Sequence, residues 1–140
     1  MSTAKDRKRA RKIGAKMQDG SAYAGVSPDT GKPMYTTQED VRGGFFGLKR
    51  HFTLKGAFAA ASKLKAHGRT DWRVPTKDEL NVLFGNRAGI GGFDTTGSDP
   101  AGWYWSSSRI YDYAWAQRFS DGVQGYDYRY DASSLRCVRG

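Results

Sequence analysis

Helical periodicity is confined to the middle of this chain, and that restriction excludes a helical bundle. Apolar residues recur at spacings of three and four between Thr53 and Ala66, which predicts a helix with one apolar face. That face consists of Leu54, Ala57, Phe58, Ala61 and Leu64. Thr76 and Glu79 have capping-box spacing and predict a second helix that runs to about Phe84.

The spacing changes after Asn86, where glycines predict a long loop followed by strands and turns. Strands are predicted at 103–106, 114–119, 123–129 and 135–138, and one or two more within 19–36. The sequence Ser120-Asp121-Gly122 is typical of a hairpin turn. Two helices followed by a run of antiparallel strands predict an α+β domain.

Charge is distributed unevenly along the 140 residues. Residues 1–16 carry seven of the 23 bases and one of the 14 acids, so residues 17–140 hold 16 bases and 13 acids, a net charge of only +3. We therefore expect a mobile basic arm at 1–16 and a single domain at 17–140. The basic character belongs to the arm rather than to the domain.

Catalytic and metal sites find little support in the sequence. Cys137 is the only cysteine, so no intrachain disulfide can form, and the two histidines are not at metal-ligand spacing with it. The segment from Gly25 to Lys32 departs from the spacing of a phosphate-binding loop. We expect no enzymatic activity, no cofactor and no metal. With no apolar run long enough for a bilayer and no secretory signal, we expect no membrane insertion and a cytoplasmic or phage-associated location.

Four short motifs occur in order between residues 34 and 139. They read WRVPTKDEL at 72–80, YWSSS at 104–108, AW with FSDG at 114–115 and 119–122, and RCVR at 136–139. This pattern resembles the Lcl C-terminal domain family. The resemblance implies a C-type-lectin-like fold, similar to that of formylglycine-generating enzymes. Those enzymes use a pair of cysteines, so the single Cys137 implies that their activity is not shared.

Two tyrosine-rich stretches, at 109–113 and 125–131, form the candidate binding site. The candidate residues are Arg109, Ile110, Tyr111, Asp112, Tyr113, Val123, Tyr126, Asp127, Tyr128, Arg129, Tyr130 and Asp131. Tyrosine gives a large, rigid contact area at low entropic cost, which suits a binding surface. We expect the tyrosines and Asp112 and Asp127 to be exposed on one face, with the scaffold residues Trp72, Trp105, Trp115 and Leu135 buried. Alternating tyrosines can also reflect a simple preference for strands.

Some relatives in the resembled group are variable proteins of diversity-generating retroelements, in which adenines of asparagine codons are mutated. Every residue at 109–113 and 125–132 belongs to the set that such mutation can produce, whereas Trp115, Gln117 and Gln124 do not. The resemblance therefore implies a diversified surface for a protein or surface-glycan ligand. Three alternatives stay open: nucleic-acid or acidic-partner binding through residues 5–16, a calcium-dependent lectin, and an unrecognised enzyme.

Overall fold

The computed structural model describes residues 12–140 and contains three helices and six strands in that range. The strands are β1 (Ala22–Val26), β2 (Pro33–Thr36), β3 (Trp103–Ile110), β4 (Tyr113–Arg118), β5 (Gln124–Tyr128) and β6 (Val138–Arg139). The helices are α1 (Leu54–Lys63), α2 (Lys77–Gly85) and α3 (Arg87–Ile90), and 3-10 turns occupy Phe45–Gly47 and Ala66–Gly68. The predicted α+β class is confirmed.

The strands form two antiparallel sheets of three. β2 is the central strand of the first sheet, between β1 and β6, and β4 is the central strand of the second, between β3 and β5. The predicted turn at Ser120-Asp121-Gly122 joins β4 to β5, and the Arg118 N–H donates to the Val123 carbonyl across it at 2.8 Å. Both tyrosine-rich stretches therefore lie on one sheet.

Both predicted helices form, and their caps explain where they begin. The Thr53 hydroxyl accepts a hydrogen bond from the Gly56 N–H, and the capping box of Thr76 and Glu79 is complete. Phe58 differs from the expectation, because 37% of its side chain is exposed while the rest of the α1 face turns inward. The short helix α3 replaces the start of the predicted loop.

The second sheet is covered unequally on its two faces. One face packs on α1, through Trp105, Ala114 and Ala116. The apolar packing of the other face on α2 lies at the end that holds Tyr104 and Phe119. Because α2 has only nine residues, no helix within residues 12–140 lies against the remainder of this second face.

A fully buried arginine connects the last motif to the core. The guanidinium of Arg136 donates from Nε to Oδ1 of Asp40 at 3.0 Å and from Nη1 to the Thr37 carbonyl at 2.9 Å. The Tyr104 hydroxyl donates to Oδ2 of the same Asp40 at 2.6 Å. The motifs at 104–108 and 136–139 therefore meet at one carboxylate, and this role is structural.

The structure moves the predicted boundary between the basic arm and the domain. Residues 12–16 lie against β1: the Gly14 N–H donates to the Tyr23 carbonyl and the Tyr23 N–H donates to the Ala15 carbonyl, both at 2.9 Å. Residues 12–16 therefore belong to the folded domain. Residues 1–11, which carry most of the predicted nucleic-acid contact, lie outside the described residues. Within 12–140, no helix has the length and apolar character needed to cross a bilayer.

Candidate functional site

Five tyrosines converge at the uncovered end of the second sheet. Their exposed fractions are 94% for Tyr111, 46% for Tyr113, 52% for Tyr126, 37% for Tyr128 and 63% for Tyr130. We call these five residues the tyrosine surface. In a strand, alternate side chains share a face, and the register pairs Tyr113 with Tyr128 directly across β4 and β5. The expectation that these tyrosines are exposed is therefore met.

Three rings of the tyrosine surface, those of Tyr113, Tyr128 and Tyr130, contact one another. Ring centroids are 5.6 Å apart for Tyr113 and Tyr128 and 5.2 Å apart for Tyr128 and Tyr130. Such edge and tilted contacts stabilise aromatic pairs beyond the burial of area. The rings are held in place before any ligand arrives, so less side-chain entropy is lost on binding.

Trp115 belongs to the edge of this surface and not to the core, which corrects the expectation of full burial. It lies on the same face as Tyr113, where its ring stacks on Tyr126 with centroids 3.9 Å apart. The ammonium of Lys77 lies 3.6 Å from the Trp115 ring centroid, in a cation–π contact. Its half-burial thus comes from neighbouring surface side chains. Trp72, Trp105 and Leu135 are buried as expected.

The turn between β3 and β4 presents the most exposed of the five tyrosines. Tyr111 has a φ of 52°, in the left-handed region, so the chain reverses sharply there. Asp112 follows it, with its carboxylate 3.8 Å from Nε of Arg129 and its carbonyl accepting the Arg129 N–H at 2.9 Å. The turn is thereby tied to the end of β5.

Asp127 does not join the tyrosine surface, which corrects the expectation for this residue. It pairs with the buried Ala114 across the sheet and faces the opposite side from Tyr126 and Tyr128. Its carboxylate is half-buried and accepts a hydrogen bond from the Ser133 hydroxyl at 3.1 Å. Burial raises the pKa of Asp127, although the Ser133 hydrogen bond opposes the rise.

The remaining candidate residues lie around the surface at different distances. Arg109, Ile110 and Asp112 are exposed beside Tyr111, and Asp131 is exposed near Tyr128, whose N–H it accepts at 3.2 Å. Val123 is exposed but lies at the opposite end of β5, beside the Asp121 turn, and is not brought together with the others. Its assignment to the same site has no geometric support.

A cavity of about 500 Å³ lies between α1 and the tyrosine surface. Its lining includes Lys55, Phe58, Arg109, Arg129 and Tyr130. Sequence reasoning missed Lys55, Phe58 and Lys77 as neighbours of the surface, because each comes from a helix far from β4 and β5 along the chain. For Phe58, its position at the margin of the apolar face of α1 could have indicated that it neighbours the tyrosine surface.

A metal-binding cluster and an ionised thiol are both absent from residues 12–140. Within 12–140, no three His, Cys, Asp or Glu side chains are grouped so that they could hold a metal ion. Cys137 is buried, and burial raises the pKa of its thiol to about 12, so it is protonated and a poor nucleophile at neutral pH. The tyrosine surface instead offers ring faces for stacking and hydroxyls for hydrogen bonds.

Comparison with known proteins gives one family. The model of the Lcl C-terminal domain matches residues 32–139, which include α1, α2, the whole of the second sheet and therefore the tyrosine surface. No curated protein matches the chain.

Proposed function

The chain belongs to the Lcl C-terminal domain family, and we propose that it is a non-enzymatic recognition protein that binds a protein or surface-glycan ligand through the tyrosine surface. The family membership suggests a binding or recognition role. The ligand would lie across β4 and β5, with Arg109, Asp112 and Asp131 at its margin.

The observation that carries this proposal is the uncovered end of the second sheet. Helix α2 covers this face at Tyr104 and Gln117, and it reaches the edge residue Trp115 only through the side chain of Lys77. The five tyrosines beyond it are exposed, and three of them, Tyr113, Tyr128 and Tyr130, pack against one another. Exposed aromatic clusters with polar margins mark interaction sites, and tyrosine is enriched among the residues that dominate binding energy.

A diversity-generating origin is the finer part of the proposal, and two positions on the tyrosine-bearing face are offered in support of it. Trp115 and Gln117, which mutated asparagine codons cannot produce, lie on this face of β4 and are both held by neighbouring residues. Gln117 is buried and donates from Nε2 to Oδ1 of Asn81 at 2.9 Å and to the Gly122 carbonyl at 3.0 Å. The exposed positions, such as Tyr113 and Tyr128, are those that mutation could reach.

The genomic test of that finer part is direct. We expect a reverse transcriptase gene beside this one, together with a near-copy of the 3′ end of the coding sequence. The near-copy should carry adenines at the codons for Tyr111, Tyr113, Tyr126, Tyr128 and Tyr130, and none of the substitutions should fall at Trp115 or Gln117. A locus without such a copy would exclude the diversified origin and leave the binding role standing.

The binding role is tested with the domain itself. Wild-type protein is used to select ligands from a glycan array and from a displayed peptide library, and each ligand is then titrated against the triple variant Y113A/Y128A/Y130A. We expect at least a tenfold loss of affinity, or about 1.4 kcal/mol, because interface tyrosines are frequent anchors. The matched control is Tyr35→Ala, which removes a tyrosine from the first sheet. Equal affinity of the selected ligands for the triple variant and for the wild type would contradict the proposal.

A further inference from the structure

A second exposed apolar feature lies far along the chain from the tyrosine surface. Residues 43–49 form a closed loop in which the Gly43 and Lys49 backbones exchange hydrogen bonds of 2.8 and 2.9 Å. At its tip Phe45, Phe46 and Leu48 are 82%, 86% and 78% exposed. We call these three residues the apolar tip. Phe46 has a φ of 57°, so the backbone turns sharply there, and the rings of Phe45 and Phe46 contact each other edge-on with centroids 4.8 Å apart.

The apolar tip stands beside a strongly basic region. Residues 41–70 contain no acid and seven Lys or Arg residues. Four of these bases line a single cavity of about 450 Å³ between the loop and α1, and no acidic residue lines it. The four are Arg42, Lys49, Lys63 and Lys65. Among the described residues none of the four forms an ion pair, so their charge is not neutralised within 12–140.

We infer that the apolar tip and the four-base cavity together form a docking site for an anionic phospholipid surface. The tip would enter the region between headgroups and acyl chains, and the bases would lie against the phosphates. This shallow insertion departs from the expectation, drawn from the sequence, of no membrane insertion. The apolar tip matches the acyl-chain layer of a bilayer leaflet, and the four-base cavity matches its layer of headgroups. Their order matches as well, because the apolar side chains project from the loop while the bases line the cavity behind it.

The shape of the feature favours a membrane over a protein partner. Protein interfaces are commonly broad patches with a polar rim, in which both signs of charge occur. Here three apolar side chains project almost completely from a seven-residue loop, and every charge around the adjoining cavity is positive. A lipid surface needs no complementary shape, and its negative potential acts on all the bases at once. The site shares no residue with the tyrosine surface. The failure of one proposal would therefore leave the other unaffected.

Vesicle co-sedimentation with the full chain tests this inference. Vesicles of phosphatidylcholine alone are compared with vesicles that also contain phosphatidylglycerol. We expect at least about tenfold stronger partitioning onto the anionic vesicles, which weakens as salt is raised. The triple variant F45S/F46S/L48S should lose at least about tenfold of that binding, since three exposed apolar groups are removed. The variant K63Q/K65Q should weaken the binding and reduce its salt dependence.

Two controls separate lipid docking from other causes. The variant Y111S removes an equally exposed aromatic from the tyrosine surface and should bind vesicles like the wild type. The triple variant should keep the wild-type melting temperature, because the three side chains that it replaces make few contacts with the rest of the domain. Lipids with brominated acyl chains should quench the fluorescence of F46W more than that of the wild type, which carries the same four native tryptophans.

Any one of the following four results would overturn the inference, and a fifth would reassign the cavity. These are equal partitioning onto neutral and anionic vesicles, unchanged binding by the triple variant, no greater quenching of F46W than of the wild type, or a self-association of the wild type that the triple variant abolishes. Retention of duplex DNA by the four bases, with no vesicle binding, would likewise assign the cavity to nucleic acid instead.

Discussion

Arg73 and Glu79 form a bidentate ion pair, with Nη1 2.5 Å from Oε1 and Nη2 2.7 Å from Oε2. The carboxylate is fully buried, and it also accepts the Ser27 hydroxyl at 2.6 Å and the Thr76 N–H at 3.0 Å. One side chain therefore caps α2 and ties it both to the segment that follows β1 and to the strand-like segment at Arg73. This network gives Arg73, Thr76 and Glu79 of the WRVPTKDEL motif a structural role.

The first prediction concerns the loss of this carboxylate. The substitution Glu79→Gln should cost about 2–3 kcal/mol in the free energy of unfolding, because it leaves the Arg73 guanidinium and the Ser27 hydroxyl with a poorer acceptor. Asp78→Asn is the matched control, since Asp78 is an exposed acid in the same helical turn and should cost no more than about 0.5 kcal/mol. Urea denaturation measures both. Equal effects of the two substitutions would contradict the network.

The second prediction concerns acid. Burial alone would raise the pKa of Glu79, but hydrogen bonds from Arg73, Ser27 and the Thr76 backbone outweigh it and lower that pKa to about 2. A depressed carboxyl pKa stabilises the fold above the unfolded pKa of about 4.5 and ceases to do so as the pH falls towards 2. The stability difference between wild type and Glu79→Gln should therefore shrink across that window. A difference that stays constant from pH 7 to pH 3 would rule this linkage out.

The third prediction concerns the start of the domain. Removal of residues 1–11 should leave the melting temperature almost unchanged, because their composition offers no apolar face. Removal of residues 1–16 should cost about 2 kcal/mol, since it breaks the hydrogen bonds between residues 14–15 and Tyr23. Gly14→Ala in the full chain is an independent check: at a φ of 81° its Cβ would come 2.0 Å from the Gly89 carbonyl oxygen. Thermal melts that rank the two truncations equally would place the domain boundary elsewhere.

Much of the fold was accessible from local patterns, and the exceptions have physical causes. Capping residues and helical spacing predicted α1 and α2, and turn chemistry predicted the β4–β5 hairpin. Helix α3 was missed because four residues are too few to show a period, and Asn86 both ends α2 and begins α3. Strand β3 extends to Ile110, beyond its predicted end.

The candidate surface shows the same division between local and tertiary information. Period-two alternation separates Asp127 from Tyr126 and Tyr128, so its inward position could have been found from the sequence. The exposure of Trp115 could not, because it depends on how far α2 extends over the second sheet. Lys77 reaches Trp115 only through that same packing.

The fourth prediction concerns the half-buried carboxylate of Asp127. Burial raises its pKa, so the folded protein takes up this proton more readily than the unfolded chain does, and wild-type stability gains as the pH falls through that pKa. Asp127→Asn keeps an acceptor for the Ser133 hydroxyl without the charge, and at neutral pH it should be neutral or stabilising by about 0.5–1 kcal/mol. This advantage should disappear in acid. NMR titration should also show a further rise of the Asp127 pKa in Ser133→Ala, which lacks the opposing hydrogen bond.

The last prediction separates scaffold from surface by the cost of truncating three aromatic residues to alanine. Trp105 is fully buried and donates from Nε1 to the Phe52 carbonyl at 2.6 Å, so its truncation should cost about 3–5 kcal/mol of stability. Tyr111 is almost fully exposed, so its truncation should lower the free energy of unfolding by no more than about 0.5 kcal/mol. Trp115 should fall between them, at about 1–2 kcal/mol, since it loses the Tyr126 stack and the Lys77 contact. Chemical denaturation gives all three values on one scale. A cost for Trp115 as large as that for Trp105 would return it to the core and shrink the candidate surface to the tyrosines alone.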